Sequence, residues 1–147
     1  MGNLQSMSKQ NFIIQIIFGL FSISIALNQD SDPRECLVVP SEYEFSMNVI
    51  GIVVVNEILT LGNDNVLAAY SDNECRGYTF PLEYGGEDIY FLVIYSNEYD
   101  IPINFSFYHS QLDTVIVLNE QVYFEPELIL GNVIDPYIFH GTHYSIG

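Results

Sequence analysis

From residue 42 onward the apolar residues follow a period of two, and turn-forming residues interrupt them about every ten positions. A strand repeats its buried face every two residues and a helix every 3.6, and no stretch after residue 40 keeps the helical spacing. Tyr43, Phe45, Met47 and Val49 alternate with Glu42, Glu44, Ser46 and Asn48, which predicts a strand with one wet face. Val49 to Val55 is apolar at nearly every position with Gly51 inside it. That change of phase predicts a bulge or a crossing between sheets.

Further strands are expected at 58–61, 66–70, 75–82, 89–95, 103–109, 114–118, 122–124 and 133–139, with turns at Asn56-Glu57, Ser71-Asp72-Asn73-Glu74 and Glu83-Tyr84-Gly85-Gly86-Glu87-Asp88. Ile89 to Tyr95 is apolar or aromatic throughout. Burial of both faces is expected there, with Phe91 and Val93 on one side and Leu92 and Ile94 on the other. Segments of this length and spacing predict an all-β fold: an antiparallel immunoglobulin-like or jelly-roll-type β-sandwich of about 7–9 short strands.

The beginning of the chain is different. Lys9 precedes Phe12 to Leu27, an apolar run broken only by Gln15, Ser22 and Ser24, and no acidic residue appears before Asp30. A basic start, an apolar run and small residues at Ser24 and Ala26 predict a signal peptide over residues 1–26. A retained anchor is the alternative, although the run falls short of the roughly 20 residues that span a bilayer. Residues 27–41 read as a linker, 42–139 as the sandwich domain and 140–147 as a tail. The expected location is secreted or at the cell surface. Export into an oxidising compartment favours a disulfide between Cys36 and Cys75. Two free thiols are the alternative, one of them activated by Arg76 beside Cys75.

Nineteen acidic residues against three basic ones give a net charge of −16. Such a surface repels nucleic-acid phosphates and anionic bilayers, so neither nucleic acid nor, in the mature form, a membrane is an expected partner. A protein or glycan partner is.

No nucleophile elbow, phosphate loop, zinc-protease motif or dinucleotide fingerprint occurs, and no catalytic residue is assigned. His109 lies at a strand end, and His140 and His143 in the expected tail. Glu42 and Glu44 would share a strand face, as paired glycosidase carboxylates do, or simply solvate it. Asp64, Asp72 and Glu74 are candidate calcium ligands, since they offer hard oxygens in turns flanking one strand. The same residue types also build ordinary turns. No other cofactor is expected. Tyr78, Tyr84, Tyr99 and Tyr108 are candidates for a sugar-stacking platform, with cross-strand packing as the alternative use.

Several motifs occur in a familiar order: Tyr43-Glu44-Phe45-Ser46-Met47, then Asp64-Asn65-Val66-Leu67-Ala68-Ala69-Tyr70 and Glu74-Cys75-Arg76-Gly77. Leu92-Val93-Ile94-Tyr95-Ser96-Asn97 and Ile103-Asn104-Phe105-Ser106-Phe107-Tyr108 follow. Together they resemble a β-sandwich module that recurs in large secreted proteins of bacteria with gliding-type (type IX) secretion. The resemblance covers about residues 38 to 139. It departs at His109, where that module usually has Asp, and the sequence shows no sorting domain after Phe139, as expected of either a small stand-alone version or a fragment of a longer chain. The resemblance implies an extracellular, non-catalytic module. The expected role is structural or adhesive, with carbohydrate or protein binding as the alternative.

Overall fold

The computed structural model describes residues 31–145. The expected signal peptide and residues 27–30 of the expected linker lie outside them. Two 3-10 turns, Pro33–Glu35 and Pro40–Glu42, come first. Ten strands follow: β1 (Phe45–Val55), β2 (Ile58–Leu59), β3 (Val66–Ser71), β4 (Glu74–Thr79) and β5 (Pro81–Tyr84), then β6 (Glu87–Ser96), β7 (Pro102–His109), β8 (Thr114–Tyr123), β9 (Ile129–Leu130) and β10 (Tyr137–Gly141). Among the described residues no helix is long and apolar enough to cross a membrane.

The all-β expectation holds; a purely antiparallel sheet does not. The strands run in the order β4-β3-β7-β8-β10-β1-β6-β5, with β2 and β9 beside β1. β1 pairs parallel with β10 and with β9, so the sheet is mixed. One residue pair, Gly141 with Leu118, joins β10 to β8. At the opposite side the chain runs from β4 through Phe80 directly into β5, from one end of the order to the other. The sheet is thereby nearly closed into a barrel. The close approach of β10 to β1 depends on Gly51, where any side chain would collide with the Tyr137 carbonyl and the Phe139 ring.

Three expected turns are two-residue hairpin turns. Asn56-Glu57, Asp72-Asn73 and Gly85-Gly86 all have positive φ at both positions. That conformation matches the twist of paired strands, and it suits Asn, Asp and Gly. β1 runs unbroken, with Met47, Val49, Val53 and Val55 buried in strict alternation, so the expected bulge or crossing at Gly51 is absent. Segments 114–118 and 122–124 are largely one strand, β8, because Asn119, Glu120 and Gln121 keep the alternation with polar residues.

The core lies inside the barrel, where Met47, Val49, Leu92, Ile94, Phe105 and Phe107 are fully enclosed with Tyr90, Phe124 and Phe139. The strand buried on both faces is β3, not β6. Leu67 and Ala69 point to the core, whereas Ala68 and Tyr70 lie under the segment that carries Cys36. Residues 31–41, expected as part of a linker, therefore form a strap across the outer face of β3.

Candidate functional site

Cys36 is bonded to Cys75, with Cα atoms 5.5 Å apart, as expected. An irregularity in β4 makes this pairing reachable. Ala69 pairs with Gly77 but Tyr70 with Cys75, so Arg76 is an extra residue in the ladder. A bulge of this kind reverses the side-chain alternation beyond it. Cys75 thus joins Tyr70 and Cys36 on the outer face. Around the bridge, Asp32 accepts from the Arg34 side chain at 2.8 Å and from its backbone N–H at 2.9 Å, which lowers the Asp32 carboxyl pKa. The Arg34 guanidinium stands 4.1 Å over the Tyr108 ring. Burial pushes the Tyr70 hydroxyl up to about 12, helped by the charges of Asp32 and Glu35.

A second feature lies on the outside of β5, β6, β1 and β10. Residues directly opposite each other in a sheet share a face. Phe91 faces Ile50 across β6 and β1, Ile52 faces Ile138 across β1 and β10, and Leu82 faces Ile89 across β5 and β6. These pairs stand on the side away from the core residues Leu92, Val49 and Phe139, and of their members Ile89 is itself buried. Leu82 is 62% exposed, Phe80 53% and Phe91 39%. Phe91 and Val93 were expected inside a strand buried on both faces. Leu92 and Ile94 are enclosed, whereas Phe91 is partly exposed and Val93 only partly buried.

Period-2 patterning continues along the β4–β5 run, where Tyr78, Phe80, Leu82 and Tyr84 are all exposed while Gly77 and Pro81 are buried. Gly77 is required here, since a Cβ would overlap the carbonyl oxygen of Val93. Its absence lets the β4 backbone come against β6. The result is a groove of about 430 Å³ lined by Tyr78, Phe80, Phe91, Val93 and Tyr95, with Val38 and Pro40 of the strap at its side. Sequence reasoning missed this face because it took the apolar outward residues of β6 and β1 as core.

The four candidate tyrosines do not form one platform. Tyr78 and Tyr84 share the exposed row, but Tyr99 packs on Phe45 with ring centres 4.9 Å apart. Tyr108 lies under Arg34 and donates to Asp113 at 2.8 Å. The calcium candidates are likewise separated. Asp64 precedes β3 and Asp72 follows it, so six strand residues, about 20 Å, lie between them. Asp72 is a hairpin-turn residue, and Glu74 accepts from the Tyr43 hydroxyl at 2.9 Å and faces Arg76 at 3.6 Å. Among the described residues no group of three or more His, Cys, Asp or Glu is placed to hold a metal ion.

Glu42 and Glu44 are not a strand pair, because β1 begins at Phe45 and Glu42 ends a 3-10 turn. Their backbones are tied to Asn97, which accepts from the Glu44 N–H and donates to the Glu42 carbonyl. His140 sits in β10 rather than in a tail, with its Nδ1 2.6 Å from the Glu120 carboxylate. The His143 N–H donates to Asn56. No protein-family model, no curated protein and no solved structure matches this chain. The likeness to the type IX module accordingly stands on its quoted motifs alone.

Proposed function

We propose that this chain is a non-catalytic extracellular module that works by adhesion through the apolar outer face of β5, β6, β1 and β10. One observation carries the reading: rows of large apolar side chains, among them Phe80, Leu82, Phe91 and Ile138, stand exposed on contiguous strands. Soluble proteins seldom leave such a surface open unless it meets a partner. The disulfide supports the extracellular setting, since thiols are kept reduced in most cytosols. Reading the architecture as an immunoglobulin-like sandwich module of the type IX kind belongs to the same proposal, supported by the order of the motifs.

A glycan-binding alternative is favoured by one contact. Tyr78 and Phe80 meet edge to face with ring centres 6.4 Å apart at the mouth of the groove, and such rings suit a sugar face. The deciding experiment is immunolabelling of intact producing cells and their medium. The wild-type chain is expected on the cell surface, and the Phe80→Ser/Leu82→Ser/Phe91→Ser variant free in the medium and still folded. Labelling only after permeabilisation, or equal retention of both forms, would count against an adhesive face.

A further inference from the structure

We propose that the pocket beside the strap binds a primary ammonium group carried on an aliphatic stem, a site separate from the adhesive face and independent of that reading. The pocket, of about 450 Å³, lies where the strap meets the β3–β4 hairpin. Ser31, Asp32, Glu35 and Leu37 line it from the strap, and Tyr70 and Glu74 from the strands. The Cys36–Cys75 bridge joins the two sides.

Tyr70 points to a ligand. It is 7% exposed, and its hydroxyl is buried without a hydrogen-bond partner. Phenylalanine would fill the same space and leave no polar atom unsatisfied, so the hydroxyl has a cost that only a partner removes. The charges of Asp32 and Glu35 both act on it, which places the two carboxylates near that oxygen. An ammonium has three N–H donors and no acceptor, and Tyr70, Glu35 and Asp32 offer it oxygens. Asp32 also holds Arg34, and Glu74 accepts from Tyr43 and faces Arg76. Glu35 enters no ion pair among the described residues and is the uncompensated charge of the pocket. Leu37, 88% exposed, gives the methylenes of the stem an apolar wall. The net charge of −16 steers cations toward such a site.

Other ligands fit less well. Calcium wants six to eight oxygens, and among the described residues no three acidic or metal-binding side chains are grouped to hold a metal. A guanidinium pairs best with a carboxylate fork, and those of Asp32 and Glu74 already face Arg34 and Arg76. An anion would meet three carboxylates. The ammonium itself has two sources, the lysine side chain of a protein or a free alkylamine.

The test is an NMR titration of the ¹⁵N-labelled secreted protein with Nα-acetyl-lysine methylamide, its Nε-acetylated form, n-butylammonium chloride, Nα-acetyl-arginine methylamide and calcium chloride. The lysine probe is expected to shift the amides of Asp32 to Leu37 and of Ser71 to Cys75, and to bind at least about tenfold more tightly than the Nε-acetylated form. Glu35→Gln and Tyr70→Phe should each weaken it by about fivefold or more, with the amide spectrum of β8 undisturbed. If Tyr70→Phe disturbs the fold, the exposed Glu35→Gln decides alone. Weaker binding of butylammonium than of the lysine probe assigns the site to a protein lysine, and equal or tighter binding assigns it to a free amine; both uphold the site. Equal binding of the acetylated and unacetylated probes, or no binding of either ammonium, overturns the proposal. Tighter binding of calcium or of the arginine probe at the same amides overturns the ammonium, and shifts spread over all the acidic turns overturn the pocket.

Discussion

The ring of Phe139 occupies the place that a side chain at Gly51 would take. A Cβ on Gly51 would lie 2.9 Å from Phe139 Cε2 and 2.6 Å from the Tyr137 carbonyl oxygen. Phe139 is fully buried and meets Phe105 edge to face at 4.7 Å, so the ring has no room to yield. Ordinarily Ala is preferred to Gly within a strand. Here Gly51→Ala should destabilise by about 1–3 kcal/mol, as overpacking does in a dense core. Denaturant unfolding measures this, and a rise in stability would show that β1 and β10 are not held as described.

Phe91 and its neighbour Leu92 should respond to different degrees. Leu92 is 1% exposed and belongs to the core, so Leu92→Ala should cost about 2–5 kcal/mol. Phe91→Ser on the partly exposed outer face should cost less, about 1–2 kcal/mol. Thermal melts of the two variants settle the facing of β6. A Phe91 variant as damaged as the Leu92 variant would mean that something covers that face.

The strap depends on its bridge. Cys36 and Cys75 close a loop of 39 residues, which chain entropy values at roughly 4 kcal/mol. The Cys36→Ser/Cys75→Ser double variant should lose about that much. It should also expose Ala68 and Tyr70, readable as faster hydrogen exchange along β3. Alkylation of the denatured, unreduced protein should label neither cysteine, and two labels per chain would refute the bridge.

Stability should also fall as solution is acidified from pH 7. Burial holds the His109 imidazole below its ordinary 6.5, with the neighbouring His143 acting in the same direction. A base with a depressed folded pKa binds fewer protons folded than unfolded. Its contribution is therefore complete above 6.5 and is lost as pH drops from 6.5 toward the folded value. His109→Phe, which keeps a ring against Phe107, should flatten the slope of stability just below pH 6.5. An unchanged slope would assign it to other groups.

Much of this fold is written locally. The alternation of Met47, Val49, Val53 and Val55 defines one face of a strand whatever lies opposite. Asp72-Asn73 and Gly85-Gly86 set hairpins by their own backbone preferences, and two cysteines behind an expected signal peptide point to the Cys36–Cys75 bridge. The candidate site was far less legible. Ile50, Ile52, Phe91 and Ile138 have core-like residue types, and type alone does not say whether anything covers them.

Tertiary structure alone decided three things: the parallel pairing of β10 with β1, the strap over β3 and the partly open face of β6. Each depends on residues distant in sequence. Gly51 accepts Phe139 from the far end of the domain, and Cys36 reaches Cys75 only because the Arg76 bulge turns it outward. Phe91 stays partly open because the strap packs over β3 and reaches only the side of the groove with Val38 and Pro40. Periodicity is a property of neighbours along the chain and fixes the two faces of a strand. Which face is covered is set by contacts between segments, and those exist only once the barrel has closed.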